Sequence, residues 1–439
     1  MKVSPARKAA LNALEKYRRQ GTAPADSLND EVRKSGLDKR DAALAMRLCY
    51  GVLQNMMYCD YCIDVYSSRN TNLIEPKVRD ILRLSVYQIL FADKIPVSAA
   101  VNEGVEICRL SGRRRACGFV NAVLRCVAEK NIPDLPGKNT EEFLSVKYSY
   151  PRQHVKDLVR RIGFEETEKL FAFCNEPAAV SAQINTLKTS ADLVLEEFSG
   201  AAHPHPWLQD CVEIIGAGDI SLLPAYREGK FYIQDAAARL AVTAASPLPG
   251  MNVLDACSAP GGKSFAAAIM MKNRGRILAC DKNANRLNRV SEGAGTLGFS
   301  IIETKVLNAE EPGEVGSFDL VIADAPCSGF GTIRKKPEIR YKSPGDIEKL
   351  PDIQTGILNG LKDCVTDGGV LLYSVCTFRT EENESVVNRF IKDNPNFVPE
   401  GFSLPKPIGD VGSGIITIWP HLFGTDGFFI CKLRKIYES

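Results

Sequence analysis

The 439-residue chain predicts a multidomain protein: an all-helical N-terminal domain over 1–135, a small α+β middle domain over 136–229, and a C-terminal α/β domain with a doubly wound, Rossmann-like sheet over 230–439. Three observations lead there. A chain of this length exceeds what one hydrophobic core usually fills. From Pro5 to about Lys130 apolar residues recur three and four apart, the helical period. From about 230 onward short apolar runs alternate with turns and helical stretches, the pattern of a parallel sheet covered by helices.

The helical spacing is carried by Leu48, Val52 and Met56, by Ile81, Leu84, Val86 and Ile89, by Val101, Val105 and Cys108, and by Val120, Val123 and Leu124. NIPDLPGKN (131–139) has linker composition and marks the first boundary. In the middle part, KYSYPRQHVKDLVRRIGFEETEKLFAFC reads as two short helices and VSAQINT as a strand. LKTSADLVLEEF then reads as a helix capped by Thr189 or Ser190, and CVEII as a further strand. In the last part MNVLDA, RILACD, FDLVIAD and GGVLLYSV are the sheet strands. Ligands in such sheets lie beyond the carboxyl ends of the strands, so the residues just after each run are the ones that bear on function.

Composition narrows the function classes. A net charge of +2 argues against wholesale coating of nucleic acid, although basic residues outnumber acidic ones over 1–130 and favour a polyanionic partner there. No stretch approaches the ~20 uncharged apolar residues of a membrane span. MKVSPARKAALNALEKYRR is a basic amphipathic helix without the apolar core of a signal peptide, so a cytoplasmic location is expected, with the 14 cysteines reduced. Cys59 and Cys62 have CxxC spacing but no second pair or suitably placed histidine, and no metal is expected.

LDACSAPGGKS (254–264) resembles a phosphate cradle, yet a P-loop needs glycine at the position of Cys257, and GxGxxG fails as well. What remains is a tight turn, Cys257, Ser258, Ala259, Pro260, Gly261, Gly262 and Lys263, between a strand and a helix, where small residues let backbone approach a ligand. About twenty residues on, Asp281 ends the next strand, where a carboxylate can accept hydrogen bonds from a ribose diol. A nucleoside without a triphosphate fits both features, and S-adenosylmethionine is the candidate cofactor.

Two cysteines stand at strand ends: Cys327 in DAPCSG, three residues after Asp324, and Cys376 in VCTFRTEEN. C5 of a pyrimidine is a poor nucleophile until a thiolate adds to C6, which makes the ring an enamine able to attack an activated methyl. That route needs a nucleophilic cysteine, a carboxyl group at the Watson–Crick edge, a methyl donor and a base for the C5 proton. Chemistry by itself leaves open which cysteine attacks.

Together these stretches resemble the Sun-type family of RNA cytosine-C5 methyltransferases over essentially the whole chain, including FYIQDAAARL, CDKNANRL, YSVCTFRTEENE and GTDGFFICKL. The resemblance implies that Cys376 is the nucleophile and that Cys327 releases the methylated RNA. It also implies that Asp324 meets N3 and the exocyclic amine, that Lys263 lies near the reacting groups, and that Asp281 holds the ribose. Two positions depart from the family pattern. Asn308 stands where an aspartate usually contacts the adenine side of the cofactor, and Val375 stands where threonine commonly precedes the nucleophile. An amide still accepts through its oxygen.

YGVLQN, VRDILRLSVYQILF and ACGFVNAVLR are similar to the NusB-type RNA-binding domain carried by bacterial 16S rRNA members of that family. The implied substrate is a specific cytosine in 16S rRNA, naked or partly assembled, modified by a monomer. Alternatives are cytosine-C5 methylation of tRNA or another rRNA, or a non-catalytic RNA-binding assembly factor. RNA backbone contacts are expected from Arg113, Arg114 and Arg115, and from Arg334, Lys335, Lys336 and Arg340 just beyond the Asp-Ala-Pro-Cys segment.

Overall fold

The computed structural model describes residues 3–130, 133–198, 200–215 and 218–437; Asn131 and Ile132, the start of the expected linker, lie outside them. The chain forms two compact units, one running to Glu176 and also taking in Lys336–Tyr341, the other comprising Pro177–Lys335 and Lys342–Ser439. The segment 136–229 is therefore divided: its helices Glu141–Tyr148, Arg152–Ile162 and Phe164–Cys174 belong to the first unit, and its strands, with helices Ala191–Glu197 and Pro224–Arg227, belong to the second.

Helices Pro5–Gln20, Pro24–Ser35 and Pro76–Phe91 each begin on proline, where the missing N–H removes no helical bond. Their apolar stripes meet those of Lys39–Gln54, Met56–Ser67, Val97–Leu110 and Cys117–Lys130 around one core. Cys59 and Cys62 sit in that core, both at 0 % exposure.

The returning segment Lys336–Tyr341 is anchored by Arg340, which is fully buried. Its Nη1 donates to the carbonyls of Gln54 (3.1 Å) and Tyr148 (2.8 Å), its Nη2 donates to Asn175 Oδ1 (2.5 Å), and the guanidinium lies 4.2 Å over the Tyr150 ring. This corrects the expectation that Arg340 faces RNA. Swinging the side chain out would give up these hydrogen bonds from a charged donor, at about 1.5–3 kcal/mol each.

The second unit holds two sheets. In the smaller, strands β1 (Val180–Ile184), β2 (Ala202–Pro204), β3 (Cys211–Ile214) and β4 (Phe231–Ile233) run in the order β2-β3-β1-β4, all antiparallel. The larger sheet contains β5 (Asn252–Asp255), β6 (Arg276–Asp281), β7 (Ile302–Val306), β8 (Phe318–Asp324) and β9 (Val365–Val375), all parallel. The short hairpin β11 (Phe402–Leu404) and β12 (Gly409–Val411) stands apart from it. Strands β10 (Phe397–Pro399), β13 (Ile415–Ile418) and β14 (Phe428–Lys435) complete the large sheet in antiparallel sense, with main order β10-β14-β9-β8-β5-β6-β7 and β13 beside β14. Antiparallel β10, β13 and β14 extend the expected parallel, doubly wound core into a mixed sheet.

Helices cover both faces. Ala236–Ala245, Gly262–Met270 and Ala284–Leu297 pack on one side, and Leu350–Leu361 and Glu384–Asp393 pack on the other. After β5 the chain goes outward to β6 and β7, then returns to place β8 on the other flank of β5. That reversal opens a crevice at the carboxyl ends of β5 and β8.

Candidate active site

The crevice is a cavity of about 240 Å³ lined on one side by Asp255, Cys257, Ser258, Ala259, Pro260, Gly262 and Lys263, and on the other by Asp324, Thr332 and Cys376. The turn after β5 owes its shape to its residues. Gly261 has φ 114°, and a Cβ there would stand 2.4 Å from the Phe265 ring. Ser258 N–H donates to the Cys280 carbonyl at 2.7 Å, tying the turn to the end of β6.

Asp255 is fully buried, and burial pushes its carboxyl up to about 7, against the Ser264 hydroxyl that donates to its Oδ2 at 2.7 Å. Its Oδ1 and the buried Ser258 Oγ have no hydrogen-bond partner among the described residues. Polar atoms orphaned in a cavity wall are what a bound polar ligand satisfies. Asp281, at the end of β6, accepts from Asn283 N–H through Oδ1 at 2.9 Å and lies 3.2 Å from Arg286 through Oδ2. Each oxygen keeps a free lone pair. Arg286 also donates to the Ala259 carbonyl at 2.7 Å, tying the Asp281 strand end to the glycine turn. Asn308, beyond β7, is exposed and outside the cavity wall; its Oδ1 accepts from Glu310 N–H at 3.4 Å.

Across the cavity, Asp324 is gripped at both oxygens: Lys263 Nζ lies 2.7 Å from Oδ2, and the Ser374 hydroxyl donates to Oδ1 at 2.9 Å. Lys263 also stands 4.9 Å over the Phe428 ring. The two cysteines meet, with sulfurs 3.1 Å apart. The hydrogen bond with Cys376, and then burial, push the Cys327 thiol well above its usual range. Two negative sulfurs at that distance would repel each other, so Cys327 keeps its proton. Cys257, which lines the cavity along with Cys376, is pushed up mainly by burial.

The end of β9, where Cys376 follows, is fixed by backbone. Gly331 N–H donates to the Cys376 carbonyl and Gly427 N–H donates to the Gly331 carbonyl, each at 2.9 Å. A Cβ on Gly331 would stand 1.8 Å from the Gly427 carbonyl oxygen, so only glycine allows this approach.

Sequence reasoning missed part of the wall: Gln234, Asp235, Asp426 and Phe428 also line it. The signal lay in FYIQD and TDGFF, which carried a resemblance without an assigned task. Lys335 belongs with them. Its Nζ lies 2.5 Å from Asp235 Oδ2 and 2.9 Å from Asp426 Oδ2, so the expectation of a phosphate contact is corrected to an internal bridge. Burial pushes Asp426 up, while Lys335 holds Asp235 below its usual range despite burial. Of the other basic residues, Lys336 is exposed and Arg334 donates to the Pro177 carbonyl at 2.6 Å. In the helical unit, Arg114 and Arg115 are exposed beside Arg113, which pairs with Glu75 at 2.7 Å. The three arginines line an open concavity of about 670 Å³.

Comparison with known proteins adds the following. Residues 242–434 match the family described as 16S rRNA methyltransferase RsmB/F, and residues 4–129 match the NusB family. A Bacillus subtilis protein named probable ribosomal RNA small subunit methyltransferase B is 34 % identical, over 99 % of this chain and 100 % of that one. A Synechocystis protein of the same name is 32 % identical over 98 % and 99 %. The crystal structure of PH0851 superposes with a TM-score of 0.81 at 26 % identity, covering 99 % of this chain and 100 % of that one.

Proposed function

Because the chain belongs to the RsmB/F family of ribosomal RNA small subunit methyltransferases, we propose that it methylates C5 of a cytosine in 16S rRNA, with S-adenosylmethionine as donor and a covalent bond from Cys376 to C6. One observation carries the reading: Cys376 lines a cavity that also holds the Lys263–Asp324 ion pair, and its sulfur lies 3.1 Å from that of Cys327.

The donor supplies an electrophilic methyl group. Its ribose would be held by Asp281, and its amino-acid end by the turn 257–263 with the unpartnered atoms of Asp255 and Ser258. Cys376 thiolate adds to C6 of the flipped cytosine, and the ring electrons move toward C5. Asp324 meets N3 and the exocyclic amine, while Lys263 balances its charge and can share a proton through it. The Cys327 thiol donates its hydrogen bond to the Cys376 sulfur until the C–S bond forms. Cys376 then carries no charge, so Cys327 can give its proton to solvent, and the resulting thiolate is the base for C5–H. Once C5 has used its electron pair to take the donor's methyl group, loss of that proton lets its bonding electrons rebuild C5=C6 and the C6–S bond breaks, returning Cys376 as thiolate.

The helical unit would hold the RNA backbone, with Arg113, Arg114 and Arg115 at its concave surface and Lys336 also available, and Arg334 would act in the catalytic unit. A cytoplasmic location follows from this substrate.

In vitro transcribed 16S rRNA, incubated with the protein and methyl-labelled donor and then mapped by bisulfite sequencing, should show 5-methylcytosine at a defined position. Label on another base, or on tRNA in preference, would overturn the reading. Asp281→Ala should weaken donor binding on the order of 10- to 100-fold, the worth of hydrogen bonds to a charged acceptor, and leave RNA affinity within about twofold. Calorimetry with each ligand separately checks this, and equal losses for both would remove Asp281 from the donor site.

A further inference from the structure

We propose that Glu382 is a positioning residue for the release step: its buried carboxylate holds the backbone around Cys327 against the Cys376 segment. The inference rests on the two-cysteine reading above. The observations are independent of it. Glu382 is 0 % exposed, an uncommon state for a carboxylate unless its oxygens are engaged. Its Oε2 accepts from the Ser328 backbone N–H at 2.8 Å and from Gln354 Nε2 at 3.1 Å, and its Oε1 accepts from Arg379 at 3.3 Å. Gln354 Nε2 also donates to the Pro326 carbonyl at 2.9 Å.

Cys327 is thus flanked on both sides. The residue before it is held through Gln354 and the residue after it by Glu382 directly. Ser328, fully buried, adds a hydroxyl contact to Thr377 at 2.9 Å. Glu382 itself is fixed by the Tyr373 hydroxyl, which donates to its backbone carbonyl at 2.6 Å. Tyr373 lies on β9, the strand that delivers Cys376.

The loop that carries Cys327 has no regular partner of its own, since β8 ends at Asp324 and the next helical turn begins at Phe330. A charged acceptor at its midpoint makes up for that lack, because hydrogen bonds to an ionised acceptor are roughly twice as strong as neutral ones. Cys376, by contrast, keeps its own tether from Gly331. Weakening Glu382 therefore loosens one sulfur and not the other. The consequence is selective: attack on C6 survives and proton removal from C5 suffers.

The test compares the full-length protein with Glu382→Gln, Gln354→Met and Cys327→Ala on 16S rRNA, with Cys376 unchanged. Two steps are timed: formation of the denaturation-resistant protein–RNA adduct and appearance of free methylated RNA. A glutamine at 382 keeps the shape and one acceptor but loses the charge, and its NH2 then faces other donors. For both Glu382→Gln and Gln354→Met, adduct formation should stay within about threefold of the parent. Release should slow on the order of 10- to 100-fold, the cost of a misplaced catalytic group, so that adduct accumulates. Parallel loss of both steps, from misfolding or from displacement of Cys376, overturns the proposal, and so does normal release. If Cys327→Ala accumulates no adduct, the two-cysteine reading falls and takes this inference with it. If Cys327→Ala accumulates adduct and the other two variants do not, only the role of Glu382 falls.

Discussion

Cys376→Ala should abolish methyl transfer, with a loss on the order of 10^4- to 10^6-fold in turnover, the size seen when a covalent nucleophile is deleted. The loss is total in practice because nothing else in the cavity can take over. Cys257 is pushed up by burial and sits in the turn after β5. Cys327 points its sulfur at Cys376 from the neighbouring loop and stays protonated beside it. The fold should be indifferent to the change, since Cys376 is half-buried and its tether to Gly331 runs through the backbone carbonyl. Donor binding and thermal midpoint should therefore match the parent within experimental scatter, while filter-bound label from the methyl donor falls to background. Retained turnover would assign the attack to another group.

The sequence makes some of this architecture readable because burial on two faces leaves a continuous trace. Strands β5, β6, β8 and β9 are covered by helices on both sides, so their apolar runs stand out. Strand β7 carries Glu303, Thr304 and Lys305, all exposed at the edge of the parallel set, and offers no run to notice. The strands β10 to β13 are three or four residues long, below the length at which alternation becomes a pattern. Helices Arg152–Ile162 and Phe164–Cys174 are evident from spacing, but spacing does not say which core receives them.

The site divides along a similar line. Glycines in a turn and cysteines at strand ends announce themselves, because few structural demands place them there. Lys335 does not: an Arg-Lys-Lys run looks alike whether it faces water or, as here, spans to Asp235 and Asp426, which are 100 and 91 residues away. Arg340 is the same case in the helical unit, where its acceptors lie 165 to 286 residues earlier in the chain. Long-range pairing of charge leaves no local signature. Glu382 lies between the two cases, visible as part of TEEN yet without a task until its contacts to Ser328 and Gln354 are known.

Cys327→Ala should leave the first half of the reaction standing and stop the second. With Cys376 free to attack, RNA should become linked to the protein in a band that survives denaturing electrophoresis, and free methylated product should fall by about 10^2-fold or more, the contribution expected of a positioned base. The neighbouring sulfur also affects attack itself. Removing Cys327 deletes the sulfur 3.1 Å from Cys376 and with it a hydrogen bond worth about 1 kcal/mol, so adduct should form at a rate within several-fold of the parent. Digesting the trapped complex and finding the nucleotide on the peptide that contains position 376, with the methyl group already at C5, would place the arrest after methyl transfer. An adduct lacking the methyl group would place it before, and would mean that Cys327 acts earlier than proton removal.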